Sequence, residues 1–148
     1  YDYEAYDKNP TDFYAVVTNC HTGKAEYKKL DDMHKGIHYV RASSSLPLLS
    51  RTVWIKNKPY LDGGVSDSIP VRKSQELGNE KTVVVLTRDR SYRKGPNKAM
   101  PLIRLRYQKE FPKLVERMKD RHIRYNETLD YLYQKRREMY LLSVLKSQ

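Results

Sequence analysis

The chain has 148 residues, which suits one domain with its own core and is short for two. Hydrophobic residues make up 39% of it, and 13 residues are tyrosine. The single cysteine, Cys20, excludes an internal disulfide framework, so we expect a reducing compartment, either the cytoplasm or the periphery of a membrane. No apolar run approaches the length of a membrane span.

The formal net charge is +11, and most of it lies between Arg88 and Arg124. In this basic block, 13 lysines and arginines face 4 acidic residues, a net charge of +9. Such a block raises the local concentration of anions. Three interpretations remain open: a solvated face, a patch for anionic phospholipid headgroups, or a nucleic-acid surface, for which no recognised motif is present.

The first half of the chain predicts strands more clearly than helices. Residues 1–12 are a polar tail, 13–18 form an apolar run typical of a buried strand, and 25–27 can return as its hairpin partner. The segment Leu30–Tyr39 is ambiguous because Gly36 weakens a helix there. Ala42–Leu46 suits a helical turn that ends at Pro47.

The second half alternates between strand and helix. Val53–Ile55 and Pro59–Leu61 predict a hairpin, and Pro70 can open a helix that runs through about Leu77. The β-branched run Thr82–Thr87 predicts a strand long enough to be central in a sheet. This alternation indicates that residues 13–90 form a core of the α/β class.

The last third, residues 91–148, is predicted to be a basic loop followed by basic C-terminal helices from about Tyr107 onward. One apolar stripe recurs at helical spacing along this segment, with charged residues around it. Its members are Phe111, Val115, Met118, His122, Tyr125, Leu129 and Leu132. We interpret residues 1–148 as a single, partial domain, and we expect the chain to be a fragment of a longer polypeptide.

The candidate functional residue is Asp62, in Tyr60-Leu61-Asp62-Gly63-Gly64. A short apolar strand delivers its carboxylate to a sharp exit, where Gly63 and Gly64 allow close backbone approach. Asp-Gly pairs are also common turn formers, so the pattern alone suits a structural role as well. The neighbouring segments favour a functional one.

Those neighbours are Ala42-Ser43-Ser44-Ser45-Leu46-Pro47 upstream, the tryptophan-bearing hairpin, and Asp67-Ser68-Ile69-Pro70-Val71 downstream. Together with Asp62-Gly63-Gly64, this ordered set resembles the C-terminal half of a patatin-like phospholipase domain. The run Val83–Arg88, with Tyr92-Arg93-Lys94 after it, is similar to the bacterial branch of that family. The resemblance covers roughly residues 13–135.

The resemblance implies part of a three-layer α/β/α sandwich and a serine lipid acyl hydrolase with a Ser–Asp dyad. Asp62 falls on the catalytic aspartate of the family, with Gly63 and Gly64 as backbone support. In such a dyad the carboxylate takes the proton of the serine hydroxyl, which is otherwise a poor nucleophile. The substrate class implied is a lipid ester or phospholipid.

The sequence departs from the family pattern at the nucleophile. No G-x-S-x-G elbow and no glycine-rich oxyanion loop occur in the 148 residues, and Gly64-Val65-Ser66-Asp67-Ser68 lacks the last glycine. We therefore expect the serine in the remainder of the parent domain and expect this chain alone to be inactive.

The other polar candidates favour structural roles. Ser43, Ser44 and Ser45 suit helix packing near the site, and Asp67 suits capping of the following helix. The four histidines lack partners at metal-ligand spacing, so neither a metal nor a cofactor is predicted. The alternative function is a non-catalytic basic α/β module that binds nucleic acid or an anionic membrane.

Overall fold

The computed structural model describes residues 2–135 and 139–143. This part of the chain folds into α-helices and β-strands that alternate along the sequence. The helices are α1 Tyr3–Asp7, α2 Met33–Ser43, α3 Val71–Glu76, α4 Met100–Tyr107, α5 Pro112–Lys119 and α6 Arg121–Gln134. The strands are β1 Tyr14–Asn19, β2 Ala25–Lys29, β3 Val53–Ile55, β4 Lys58–Asp62, β5 Thr82–Leu86 and β6 Met139–Ser143.

The four strands of the first half form one antiparallel sheet in the order β2-β1-β4-β3. Both predicted hairpins, β1–β2 and β3–β4, are confirmed. The pairing of Val17 with Asp62 joins the two hairpins and makes β1 and β4 the central strands. The mixed α/β class predicted from the sequence is confirmed.

Helix α2 covers the segment that the sequence left ambiguous. Asp32 caps it by accepting a hydrogen bond from the Lys35 amide, 3.3 Å away. Gly36 fits because a Cβ there would lie only 3.2 Å from the Leu30 side chain. The helix is therefore longer than the predicted turn, which began at Ala42, and it packs on the sheet through a cluster of Val17, Ala42, Val53 and Tyr60.

The position expected for β5 in the sheet is wrong. Among the described residues, β5 pairs in parallel with β6 only, in a two-stranded sheet apart from the four strands. Val83 and Val85 are 59% and 66% exposed, while Val84 and Leu86 are buried. A uniform β-branched run predicts a strand, but it does not reveal how many of its faces are covered.

The C-terminal helices are present, but the apolar stripe does not lie on one of them, because the chain breaks at Asp120 between α5 and α6. The break divides the apolar stripe between two clusters. Phe111, Val115 and Met118 join the cluster around Leu61, whereas Leu129 and Leu132 pack on β5 and α3. Spacing alone cannot show this, since two consecutive helices can keep the same periodicity.

Two smaller features complete the description. The polar tail contains α1, whose Tyr6 hydroxyl donates to the backbone carbonyl of Leu30 and so fixes it beside α2. In the described part of the chain, the helices are too short and too polar to cross a membrane.

Candidate active site

The backbone of Asp62 is fixed on both sides at the end of β4. Its amide N–H donates to the carbonyl oxygen of Ser45 over 2.9 Å, and its own carbonyl accepts the Thr18 hydroxyl over 2.8 Å. Thr18 and Ser45 are buried. The serine-rich segment after α2 and the central strand β1 therefore hold the aspartate in place.

The carboxylate of Asp62 is oriented through one oxygen. Its Oδ1 accepts the Gly64 amide over 2.7 Å and caps the short 3₁₀ turn Gly63–Val65. The side chain is half-buried, and within residues 2–135 no hydrogen bond or ion pair reaches Oδ2. A carboxylate held by one oxygen, with the other available, has the form that a general base needs.

The two glycines after Asp62 serve different purposes. A Cβ on Gly63 would lie 2.1 Å from the carbonyl oxygen of Val16, so only glycine fits against β1. A Cβ on Gly64 would meet softer neighbours, the Asp62 Oδ1 at 3.1 Å and an Arg121 terminal nitrogen at 3.3 Å. Gly63 thus allows the close packing of the turn on the sheet, and Gly64 supplies the amide that orients Asp62.

Arginines from α5 and α6 hold the segment that follows Asp62. Arg121 Nε donates to the Gly64 carbonyl over 2.6 Å, and Arg124 donates to that of Val65 over 3.2 Å. Arg117 donates to the carbonyl of Ser66 over 3.1 Å. Part of the basic block, which the sequence left as a solvated or anion-binding face, is therefore turned inward onto backbone carbonyls.

These arginines are the residues that the sequence reasoning missed. Arg117, Arg121 and Arg124 recur at helical spacing, and that signal was available. The net charge of the block concealed it, because thirteen similar side chains within one segment do not show which of them turn inward.

The remaining polar candidates take structural positions. The capping role predicted for Asp67 is wrong. Its Oδ2 accepts the Tyr27 hydroxyl over 2.5 Å, and Pro70 begins α3 without a side-chain cap. The Ser45 hydroxyl donates to the carbonyl of Arg41. His122 is half-buried on α6, and among the described residues no hydrogen bond or ion pair joins it to Asp62.

Burial suppresses the chemistry of other reactive groups near the sheet. Burial, followed by the negative charge of Glu110, raises the pKa of the Cys20 thiol to about 12. Burial and then the hydrogen bond to Asp67 raise the pKa of Tyr27. Neither group suits proton transfer at neutral pH, and the described residues hold no cluster of three His, Cys, Asp or Glu side chains that could bind a metal.

Comparison with known proteins locates one similarity. The family model described as patatin-like phospholipase matches residues 6–73, which includes the whole four-stranded sheet and Asp62. No curated protein matches the chain. The matched stretch ends before Val83–Arg88, so the likeness of that run to the bacterial branch stays a prediction.

The match and the geometry concern the same residues. The segment that positions Asp62 from both sides, between β1 and the start of α3, is the segment that is similar to the family. Residues 6–73, which make up less than half of the chain, are therefore similar to the patatin-like phospholipase family.

Proposed function

We propose that this chain is the C-terminal half of a patatin-like lipid acyl hydrolase, in which Asp62 is the general base of a Ser–Asp dyad. The serine and the oxyanion loop belong to the remainder of the parent domain, and the domain as a whole is a three-layer α/β/α sandwich. The substrate is a lipid ester or phospholipid. Acyl transfer to the serine is followed by hydrolysis of the acyl-enzyme by water.

The main support for this proposal is the position and orientation of the Asp62 carboxylate. It lies at the end of a central strand, its Oδ1 is oriented by Gly64, and it falls within the stretch that matches the family. A serine hydroxyl placed near Oδ2 would find a base whose direction is already fixed. Such positioning lowers the cost of bringing the two groups together.

Uncovered apolar side chains support a missing remainder of the domain. Val83 and Val85 on β5 are mostly exposed, and so are Leu49 at 82%, Trp54 at 55% and Leu105 at 85%. Val83 and Val85 alternate with buried residues along β5, so they share its uncovered face, and adjacent exposed apolar side chains are typical of a surface that contacts another protein element or a lipid. The parent domain or the acyl chain of the substrate would cover them.

The basic block supports a membrane-facing role only through its outward-pointing members. Arg104, Arg106 and Lys109 on and after α4 are exposed, close in sequence to the exposed Leu102 and Leu105. Cationic and apolar side chains side by side are typical of contact with anionic lipid headgroups.

The test is hydrolysis of a p-nitrophenyl ester by the full-length polypeptide that contains these residues. The substitution Asp62→Asn keeps an oxygen that can accept the Gly64 amide but removes the base, so kcat should fall by about 10²- to 10⁴-fold. The matched control is Asp32→Asn, because Asp32 also accepts a backbone amide and asparagine caps equally well. The control should retain wild-type activity.

The proposal is wrong if Asp62→Asn retains esterase activity while its thermal unfolding matches that of the wild type. A second measurement locates the nucleophile. A fluorophosphonate probe should label a serine outside residues 1–148, and these residues alone should neither react nor hydrolyse the ester. Labelling of Ser66, whose buried hydroxyl donates to the Gly23 carbonyl, would contradict the dyad.

A further inference from the structure

Four arginines line one cavity beside the loop that follows Asp62. The cavity has a volume of about 380 Å³ and lies between β2, residues 65–68, α3, α5 and α6. Its arginines are Arg72 from α3, Arg117 from α5, and Arg121 and Arg124 from α6. Elements distant in sequence therefore direct their cationic side chains to one place.

The positive charge in the cavity is only partly compensated. Its acidic residues are Asp67 and Glu127, fewer than its arginines, and Asp67 is engaged by the Tyr27 hydroxyl. Within the described ranges, no ion pair joins any of the four arginines to a carboxylate. Clustered like charges that outnumber their counter-charges repel one another, and the repulsion grows as water is removed.

The contacts of the arginines leave donors unused. Arg117, Arg121 and Arg124 donate to the carbonyls of residues 64–66, which fixes their guanidinium planes. The Nε atoms of Arg117 and Arg124 are buried and lack hydrogen-bond partners in the described part of the protein. Burial lowers the pKa of Arg124, and the charge of Arg117 lowers it further, as expected where positive groups crowd together.

We propose that this cavity binds the phosphate group of a phosphate ester. A guanidinium offers several N–H donors in a fixed fork that matches the oxygens of phosphate, and the backbone contacts hold three of these forks ready. The hydroxyl of Ser68 also lines the cavity but donates to the Gly64 carbonyl over 2.6 Å, so the donors for the phosphate come from the arginines. The volume exceeds that of phosphate alone and leaves room for the group esterified to it.

The site does not depend on the proposed hydrolase activity, since Asp62 is not among the residues that line this cavity. The ester can be a free small molecule or the headgroup of a lipid, because both present the same phosphate chemistry. Occupancy would neutralise the charges that hold residues 64–66, so the ligand should also raise the melting temperature of the protein.

The test compares Arg72→Gln with Arg90→Gln in the full-length polypeptide. Both arginines are exposed and lie over a tyrosine ring of α6, with the Arg72 guanidinium 4.6 Å from the Tyr131 centroid and that of Arg90 5.0 Å from the Tyr133 centroid. Only Arg72 lines the cavity. Each substitution removes one positive charge and one cation–π contact. A difference in binding between the two variants therefore reports only whether the substituted arginine lines the cavity.

The titrants are inorganic phosphate and sn-glycerol 3-phosphate, measured by isothermal titration calorimetry at constant ionic strength. Arg72→Gln should weaken binding about tenfold, the effect of losing a hydrogen bond to a charged group. Arg90→Gln should change it less than about threefold. Asp67→Asn, which removes a negative charge from the cavity, should strengthen binding, provided that its unfolding curve stays two-state.

Vesicles of phosphatidylcholine with and without phosphatidic acid distinguish the two sources of phosphate. Binding that depends on Arg72 and appears with the soluble ester supports a free small molecule, while the same dependence with phosphatidic acid vesicles alone supports a headgroup. If Arg72→Gln and Arg90→Gln lost the same amount of phosphate affinity, the proposed site would be wrong, and the binding would reflect only general attraction of anions to a basic protein. The absence of binding to every titrant would overturn it as well.

Discussion

Gly63 offers the sharpest test of how the aspartate-bearing turn packs on the sheet. In the substitution Gly63→Ala, the new Cβ would lie 2.1 Å from the carbonyl oxygen of Val16 and 2.5 Å from its carbonyl carbon. Real Cβ atoms essentially never come within 3.0 Å of such atoms, so the two segments must separate by about 0.9 Å. The obstacle is the backbone of a central strand, which cannot rotate away as a side chain can.

The expected cost follows from this geometry. Overpacking a well-packed core destabilises by about 1–3 kcal/mol, and we expect the upper end because β1 is paired on both sides. For a chain of this size, about 3 kcal/mol corresponds to a fall of about 6–12 °C in the melting temperature. Thermal unfolding followed by far-ultraviolet circular dichroism measures the difference.

Two other glycines provide graded controls. Gly64→Ala meets only the Asp62 and Arg121 side chains at 3.1 and 3.3 Å, so its effect should be smaller than that of Gly63→Ala. Gly95→Ala meets nothing within 4 Å and should change stability by less than about 1 kcal/mol. If Gly63→Ala melted within about 2 °C of Gly95→Ala, the close contact between the turn and β1 would be wrong.

Two further predictions concern ionisable groups in the sheet. Burial raises the pKa of Glu26, but hydrogen bonds from Lys28, Asn19 and Tyr60 outweigh it and hold the pKa below its ordinary value of 4.5. The stability that the Glu26 carboxylate contributes is therefore present above pH 4.5 and lost as the pH falls. Between about pH 6 and about pH 3, the melting temperature of the wild type should fall further than that of Glu26→Gln. Equal falls would contradict the lowered pKa of Glu26. Cys20 is fully buried and its thiol has a raised pKa, so a disulfide reagent at neutral pH should modify it rapidly only after unfolding in urea, and fast reaction of the native chain would refute its burial.

Local patterns predicted the elements whose signals lie within a few residues. The apolar run before Asn19, the turn at Lys56–Asn57 and the glycines after Asp62 specify the two hairpins and the exit of β4. Lys56 and Asn57 both adopt positive φ, at 49° and 59°, which a tight hairpin turn requires. These features depend on neighbouring residues, so the sequence is sufficient to reveal them.

In the candidate site, too, some features could be predicted from the sequence and others could not. Asp62 and its glycines could be identified from their order in the chain and from the family resemblance. The partners that fix its backbone could not, because Ser45 and Thr18 lie 17 and 44 residues away; Arg121, which holds the Gly64 carbonyl, lies 59 residues from Asp62, and nothing in the spacing connects these residues to it. Hydrogen bonds between distant segments form only when the sheet and the helices are assembled.

The sequence by itself determined that this is a basic α/β chain whose first half forms hairpins and presents one aspartate at a glycine-rich exit. Only the tertiary structure decided that β5 lies apart from the main sheet, that the apolar stripe divides at Asp120, and that part of the basic block turns inward. The physical reason is that periodicity records which side of an element is apolar. The element that covers that side, and the carbonyls that receive an arginine, are set by packing between segments far apart in the chain.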